Sequence, residues 1–281
     1  MPQNTLRQIL RLTIRDYAIF LLISAFLILC ILSILAEVIS SHDPLSQHLE
    51  DRLSKPDSTY YLGTDGLGRD IFSRVLHGIR TSLVIGFTSL AISSVLGVTI
   101  GIYCGMNEGR IDLIVQRIID VLLAFPFFLF ALIFVVALGP SIISLAIAIG
   151  LGHIPIIARL SRANTILIKQ SLYVEAAQMI GAEDIHIVRV HILPNSFIPI
   201  LAQLPSNFAN AIGTEAALSF FGLGIAKPIP SLGNMMSDGI TNFIEVAPWI
   251  TFFPAITLIV LILTFSAIID KFQQHTTHLR R

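Results

Sequence analysis

The residue types best suited to binding a partner lie between positions 175 and 195. This polar segment contains Glu175, Ala176, Ala177 and Gly181 and ends with His191, Ile192, Leu193, Pro194 and Asn195. On a short helix, Ala176, Ala177 and Gly181 would leave one face almost without side chains, so another protein could approach the backbone closely. Glu175 adds a charge that an arginine or a helix N-terminus of a partner could use. This chemistry indicates docking rather than catalysis. The alternative is an ordinary loop that folds back on its own helices.

Two short helices are predicted around these residues. Positions 172–180 contain good helix formers and no proline, and Gly181 is placed to end the helix. Glu183 and Asp184 suit the first turn of a second helix, where acidic side chains meet the positive end of the helix dipole. The apolar residues that recur there at helical spacing are Ile185, Val188 and Ile192.

Two polar residues inside apolar segments are candidates for a solute path or gate. His153 lies just before Pro155, where it either lines a path or packs with a hydrogen bond. Glu215 lies near the outer end of its segment, where it either acts at an outer gate or caps local backbone. Ionisable groups are costly inside a membrane, so both draw attention. Arg117 and Asp120 form an i,i+3 pair that we expect to be structural.

The composition indicates a membrane protein. The chain is 54% hydrophobic and 13% charged, with a mean hydropathy of +0.80, whereas soluble domains are about 25% charged. A spanning helix needs about 20 mostly apolar residues. Six stretches qualify, at positions 17–38, 82–103, 118–138, 142–158, 197–218 and 250–269. Cys30 and Cys104 fall in apolar segments and are expected to be packing residues, and we expect no metal or other cofactor.

Basic residues predict the orientation of these spans. Lys and Arg are frequent in the N-terminal tail, in the two connections after the second and fourth spans, and in the C-terminal tail. With six spans these four regions share one side, so both termini are predicted to be cytoplasmic. The segment 164–193 then lies inside, and the loops 40–78 and 221–248 lie outside.

Glycines on the second span predict close helix packing. Gly97, Gly101 and Gly105 form a G-x-x-x-G-x-x-x-G series, and such a face lets helices approach closely in lipid. The packing is either within this subunit or against a second one.

The first outer loop contains a charged motif just before the second span. Asp65–Arg69 and Asp70–Arg74 are acid-then-base pairs at i,i+4, a spacing that supports a helix. Because Gly66 and Gly68 weaken the start of such a helix, we expect the second pair to matter more. The motif either orders the entry to the span or contacts a protein that delivers solute.

Three motifs in order resemble one transporter family. E-A-A-x-x-x-G at 175–181, followed by H-x-L-P-N at 191–195, is similar to the signature loop of permease subunits of ATP-binding-cassette (ABC) importers. L-G-T-D-x-x-G-R-D-x-x-S-R at 62–74 and E-x-x-L-S-F-x-G-L-G at 215–224 are similar to motifs of the C-type subunit in the dipeptide, oligopeptide and nickel branch. The resemblance covers nearly the whole chain.

This resemblance implies an all-α integral membrane protein with six transmembrane helices in the type I ABC importer permease fold. The cytoplasmic segment would be a coupling helix that sits on an ATPase subunit, with Glu175, Ala176, Ala177, Gly181, Leu193 and Pro194 as its contact residues. Residues 1–80 would hold the tail, first span and periplasmic loop, and residues 81–281 a five-helix core with the coupling loop 164–194.

The implied partners are a second, homologous permease subunit, two cytoplasmic ABC ATPases and an extracytoplasmic solute-binding protein, at a bacterial inner membrane. The chain contains no G-x-x-x-x-G-K-[ST] loop for nucleotide phosphates, so it is not expected to be an enzyme. The solute would be a peptide or, alternatively, nickel or a metal chelate. An independent secondary transporter is a different alternative, but no inverted repeat and no mid-membrane pair of acids supports it.

Overall fold

Helices make up the regular structure of the described chain. The computed structural model describes residues 20–279, with side chains up to 268. The α-helices in chain order are α1 (Phe20–Ile34), α2 (Ala36–Ile39), α3 (Ile71–Met106), α4 (Arg110–Ala124), α5 (Phe127–Leu138), α6 (Ile142–Lys169), α7 (Leu172–Met179), α8 (Asp184–Ile187), α9 (Leu193–Phe220), α10 (Leu232–Asn242) and α11 (Trp249–Leu279). A 3-10 turn covers Leu49–Asp51, and a π-helical turn, Val188–Ile192, joins α8 to α9.

Four helical stretches in the described residues are long and apolar enough to cross a membrane. They are Ile71–Met106, Ile142–Lys169, Asp184–Phe220 and Trp249–Ile268, and the bent pair α4–α5 makes a fifth if it forms one span. The described part of the first predicted stretch, positions 20–38, forms the shorter helix α1 and most of α2. The all-α membrane fold class is therefore confirmed. Residues 1–19, 280 and 281, which carry part of the orientation prediction, lie outside the described residues.

The prediction of one continuous helix over positions 118–138 is wrong. The chain there forms α4 and α5, whose axes differ by 93°. Phe125 and Pro126 between them are extended, with ψ angles of 133° and 120°. Proline lacks an N–H and disfavours helical backbone at the residue before it, so Pro126 ends α4 at Ala124.

Two predicted loop boundaries also move. α3 begins at Ile71 rather than at position 82, so the first outer loop ends at Asp70. α6 continues to Lys169 rather than ending at position 158. In both cases polar helical turns extend beyond the apolar core of the span, and hydropathy alone does not detect them.

The described chain forms two compact units. One unit, Val84–Glu215, contains most of α3, helices α4 to α8 and most of α9. The other combines the residues up to Leu83 with those from Ala216 onward. The division of the chain at residue 80 stays a prediction.

Within the Val84–Glu215 unit, the glycines of α3 lie directly against α6. A Cβ atom at Gly97 would be 2.7 Å from Ile157, one at Gly101 2.4 Å from the Ala158 carbonyl oxygen, and one at Gly105 2.6 Å from Thr165. Real Cβ atoms do not approach this closely. The predicted close packing is therefore confirmed, and of the two partners that the sequence left open the structure shows the one within the subunit.

Replacing Gly101 by leucine should destabilise this helix pair by about 3 kcal/mol, because the new side chain would overlap the α6 backbone. Thermal unfolding of the purified membrane protein measures the effect as a lower melting temperature. Gly213→Leu is the matched control, since nothing lies within 4 Å of a Cβ atom built there. Equal melting temperatures for the two variants would contradict the close packing.

In the other unit, the charged motif is arranged differently from the prediction. Arg69 Nε lies 2.7 Å from Asp65 Oδ2, so the first pair forms, but in a turn before α3 rather than on a helix. Asp70 instead caps α3 by accepting hydrogen bonds from the Ser73 N–H and hydroxyl at 3.2 and 2.5 Å. Arg74 turns toward Asp65, with its Nε at 3.6 Å. The prediction that Asp70 pairs with Arg74 is therefore wrong, because Asp70 caps the helix instead.

Candidate functional site

Helix α7 packs on its own unit through one side of the helix. Its extent, Leu172–Met179, confirms the predicted helix at 172–180. Val174 is completely buried in a cluster with Ile102 of α3, Ile187 and Ile192. Partly buried apolar neighbours, including Met106 and Ile168, surround this cluster. The helix is thus attached to the ends of α3 and α6 rather than projecting freely.

The opposite side of α7 is an exposed stripe. Its members are spaced at i, i+3, i+4, i+7 and i+8, which is one face of a helix: Leu172, Glu175, Ala176, Met179 and Ile180. All five are exposed, and Leu172, Met179 and Ile180 keep 82%, 90% and 86% of their surface open. We call this set the α7 stripe. Large apolar side chains exposed together mark an interaction surface more often than single ones do.

The structure divides the predicted docking residues between two sides of α7. Glu175 and Ala176 lie on the α7 stripe, whereas Ala177 is half-buried beside the turn that holds Val174. The three large apolar residues of the stripe are functional candidates that the sequence interpretation missed. Their spacing of seven and eight residues was the available signal.

Gly181 ends α7 in a backbone conformation that requires glycine. Its φ is +84°, in the left-handed region. The Gly181 N–H donates to the Gln178 carbonyl and the Ala182 N–H to the Ala177 carbonyl, each at 3.0 Å. These two bonds form a Schellman motif, in which glycine avoids the steric cost of a Cβ atom. Gly181 therefore shapes the end of α7 rather than offering a contact face.

The second half of the segment follows a wider helical turn than predicted. α8 begins after Glu183 as expected, but residues Val188–Ile192 are π-helical. Ile187 at the end of α8 and Ile192 in the π-helical turn are both buried, while Ile185 of α8 is 54% exposed. The prediction that Ile185 shares one apolar helix face with Val188 and Ile192 is therefore wrong. Pro194 explains the widened turn, because its ring would collide with the carbonyl of residue 190 in a regular helix.

Leu193 and Pro194 lie at the beginning of α9, and both are exposed. The half-buried His191 packs against Tyr173 of α7, with ring centres 5.5 Å apart. The histidine of the motif thus joins the two halves of the segment.

Ion pairs hold α4 against α6 on the same unit. Arg162 Nε and Nη2 each donate to one oxygen of Asp112 at 2.6 Å, and Asp112 is 3% exposed. Arg159 also pairs with Asp120. The predicted Arg117–Asp120 pair is present at 3.8 Å. The sequence interpretation missed the bidentate pair because its partners are 50 residues apart.

A cavity lies at the break between α4 and α5. Its volume is about 510 Å³, and its wall comes from residues 122–130, from α6 around His153, and from Asn210 and Thr214 of α9. His153 is 3% exposed, its Nδ1 is 2.9 Å from the Ile149 carbonyl oxygen, and its ring lies 4.3 Å from that of Phe127. His153 therefore both packs with a hydrogen bond and borders the cavity.

Four uncharged polar residues line up on one face of the membrane helix α9. They are spaced at i, i+4, i+7 and i+11: Gln203, Asn207, Asn210 and Thr214. Gln203 donates to Asn207 Oδ1 at 3.2 Å, and Asn207 Nδ2 is buried without a hydrogen bond. We call this set the α9 polar stripe. It was missed because only charged groups and histidines were considered as intramembrane candidates, and its helical spacing was the available signal. Glu215 follows it on α9 and is completely buried.

A family model described as "Binding-protein-dependent transport system inner membrane component" matches residues 97–278. The chain belongs to this family. It is a membrane permease component of an ABC importer, not a catalytic subunit, and the predicted resemblance is confirmed. Permeases of this family work with an ATPase and with a solute-binding protein.

Curated relatives agree with the family. The chain is 37% identical over 250 residues to the dipeptide transport system permease protein of Alkalihalophilus pseudofirmus, covering 89% of this chain and 81% of the relative. It is 37% identical to the glutathione transport system permease protein of Pectobacterium atrosepticum, with coverages of 87% and 81%. It is 34% identical to the probable D,D-dipeptide transport system permease protein of Escherichia coli, with coverages of 85% and 80%.

Solved structures agree with the fold. An inward-facing methionine ABC transporter matches with a TM-score of 0.60 at 17% identity, covering 72% of this chain and 95% of the matched chain. An amino acid ABC transporter matches with a TM-score of 0.56 at 20% identity, with coverages of 73% and 94%. The type I importer permease fold is therefore confirmed.

Proposed function

We propose that this chain is a permease subunit for di- and oligopeptides, that it forms half of the translocation pathway, and that it couples this pathway to a separate ATPase. The relatives above carry the solute assignment, since their names refer to dipeptides, glutathione and D,D-dipeptides. The exposed α7 stripe is the observation that carries the coupling assignment. Nickel transport is the less favoured alternative.

The α7 stripe supports docking because its apolar residues are open while the helix is firmly attached. Leu172, Met179 and Ile180 point away from the cluster that buries Val174. Covering three such side chains would give a partner several kcal/mol of binding free energy, at about 1.5–3 kcal/mol each. Glu175 lies among them and would select a basic or N-terminal helix group on the ATPase. Ala177, Gly181, Leu193 and Pro194 would set the shape of the segment around this contact.

The attachment of α7 also suits transmission of force. Val174 is packed with Ile102 of α3 and with Ile187 and Ile192, and Lys169 at the end of α6 donates to the Met106 carbonyl at the end of α3, at 2.9 Å. Packed interiors resist compression. A push on α7 by the ATPase would therefore move the ends of α3 and α6 rather than being absorbed locally.

The cavity at the α4–α5 break supports a pathway for a polar solute. Discontinuous membrane helices commonly border transport sites, because their extended backbone must line a cavity or be buried in protein. Asn210 and Thr214 bring an amide and a hydroxyl to its wall. Peptide groups carry one donor and one acceptor each, which these side chains can match. His153 would border this path, and Glu215 would act nearer the outer end of α9 as a gate.

The remaining architecture follows the family. The chain would pair with a second, homologous permease, with two ATPases on the cytoplasmic side and a solute-binding protein outside. Both termini would be cytoplasmic. Residues 1–80 would form the tail, first span and periplasmic loop, and residues 81–281 the five-helix core containing the coupling loop 164–194.

Transport by the reconstituted importer tests the solute class. Proteoliposomes that contain both permeases, the ATPases and the binding protein should accumulate radiolabelled dialanine in an ATP-dependent manner. Unlabelled tripeptide should compete, and Ni²⁺ at equal concentration should not. ATP-dependent accumulation of ⁶³Ni²⁺ with no accumulation of dialanine would reject the peptide assignment in favour of the nickel alternative.

A further inference from the structure

The charged motif before α3 borders a second pocket, which the coupling and pathway assignments do not use. Its volume is about 640 Å³, and it lies within the unit formed by the residues up to Leu83 and from Ala216 onward. Six ionisable side chains line it: Arg52, Asp65, Arg69, Arg74, Lys227 and Asp238. The orientation predicted from the basic residues puts this region on the extracytoplasmic side of the membrane.

The two acids of the pocket are already engaged. Asp65 accepts hydrogen bonds from the Leu67 N–H at 2.8 Å, the Arg69 N–H at 3.1 Å and Arg69 Nε at 2.7 Å. Asp238 Oδ1 lies 2.6 Å from Lys227 Nζ. Since four cations share two carboxylates, the pocket carries an excess of positive charge.

Arg74 and Arg52 are the least neutralised of these cations. The Arg74 side chain is only 5% exposed, and it shares Asp65 with Arg69. Its Nε lies 3.6 Å from Asp65 Oδ2 without a hydrogen bond, and one Nη donates to the Pro44 carbonyl at 3.1 Å. Arg52 is exposed, lies 6.0 Å from the centre of the Phe243 ring, and forms no ion pair among the described residues. Buried or partly buried cations are stabilised by an anion, and guanidinium groups bind carboxylates through two parallel hydrogen bonds.

We propose that this pocket binds the C-terminal carboxylate of a peptide on its way into the permease. The pocket has the size of a small-molecule site, for which about 300–1,000 Å³ is usual, and it is larger than a single inorganic ion needs. Met235, Phe243 and Ile250 add an apolar wall for side chains. Asp238 is paired with Lys227, but it is 30% exposed, so its open side can also accept a hydrogen bond from the peptide ammonium group. This inference rests on the proposed peptide function.

The same carboxylate chemistry has a second source, an acidic side chain of the solute-binding protein. A pocket of about 640 Å³ whose wall includes the buried Arg74 favours the small solute, because a dipeptide fits within this volume. If the carboxylate belongs to the solute, removing a pocket cation weakens peptide binding. If it belongs to the solute-binding protein, removing that cation weakens the affinity for this protein. One set of variants therefore distinguishes the two sources.

The test uses the complete importer in nanodiscs and three variants. Arg52→Gln removes an exposed cation of the pocket without disturbing the buried motif. Lys55→Gln is the control, an exposed cation of the same loop outside the pocket. Arg74→Lys keeps the charge but removes the fork of donors, and it should weaken dialanine binding about as much as Arg52→Gln does. Equilibrium binding of radiolabelled dialanine, and of its C-terminal amide, is measured without the binding protein. Affinity of the binding protein and ATP-dependent uptake are measured on the same preparations.

We expect dialanine to bind the wild type and the Lys55→Gln variant, and Arg52→Gln to weaken it about tenfold, as loss of one charge-assisted hydrogen bond does. The C-terminal amide of dialanine should bind neither the wild type nor the Lys55→Gln variant. Loss of binding-protein affinity in Arg52→Gln, with no dialanine binding to the wild type, would overturn the proposal in favour of the protein carboxylate. Equal dialanine binding by Arg52→Gln and wild type would also overturn it. Absence of dialanine uptake by the wild-type importer would instead count against the proposed peptide function.

Discussion

Replacing both Met179 and Ile180 by aspartate should detach this permease from its ATPase. The two side chains are 90% and 86% exposed on the α7 stripe, so the change costs the isolated subunit little. In the complex, two apolar side chains would be lost from the contact and two carboxylates would be desolvated. We expect a loss of at least about 3 kcal/mol of binding free energy, a weakening of roughly 100-fold or more.

Co-purification of a tagged ATPase with the permease pair from detergent measures this loss, and titration of the ATPase onto permease nanodiscs gives its size. Val246→Asp is the control, because this residue is 66% exposed in the loop before α11, which is predicted to face the opposite side of the membrane. The control should keep full ATPase binding. A double variant that binds the ATPase with wild-type affinity and supports normal uptake would exclude the α7 stripe as the coupling surface.

Replacing Asn210 by leucine and Thr214 by valine should stop solute passage while the complex stays assembled. These side chains supply the amide and hydroxyl that α9 contributes to the cavity wall. A peptide that passes without them would lose these partners for its polar groups, at about 1–3 kcal/mol for each group left unpaired. We expect uptake per complex to fall by roughly 30-fold or more, with little change in ATPase binding.

Uptake and ATP hydrolysis in the same proteoliposomes measure this result. Thr99→Val is the matched control for the hydroxyl, because Thr99 is exposed on α3 and already donates to the Val95 carbonyl at 2.7 Å. Asn210→Gln, which keeps the amide, should restore part of the uptake. Normal uptake by the Asn210→Leu, Thr214→Val variant would show that the solute does not pass this cavity.

The two predictions separate the steps of transport. The α7 variant should lose transport-coupled ATP hydrolysis and uptake together, because the ATPase is detached from the permease. The α9 variant should keep the ATPase bound and lose uptake, because only the path is changed. Parallel losses of ATPase binding in both variants would mean that the substitutions disturb the common fold of the Val84–Glu215 unit.

Patterns within one helix were predictable from the sequence. The apolar stretches gave the membrane helices, and Gly181 was recognised as the end of α7 because left-handed backbone favours glycine. Gly97, Gly101 and Gly105 were recognised as a packing face for a similar local reason. The break at Pro126 was also within reach, but the apolar run around it outweighed the proline in the interpretation.

The partners of charged side chains were not predictable, whether they are near or far along the chain. Asp70 was expected to pair with Arg74, but it caps α3, and Arg74 turns to Asp65 and Pro44. Asp112 pairs with Arg162 across 50 residues. A charged side chain has several partners at permitted spacings, and the surrounding backbone decides among them.

The sequence by itself determined the family, most of the membrane helices and the position of the segment proposed for docking, because these depend on hydropathy and on residue types at short spacing. Only the tertiary structure decided which side of that segment faces outward. Burial of Val174 with Ile187 and Ile192 leaves Leu172, Met179 and Ile180 exposed and Ala177 half-buried against the unit. More than one face of α7 carries both polar and apolar residues, and packing against residues distant in the chain determines which face is buried.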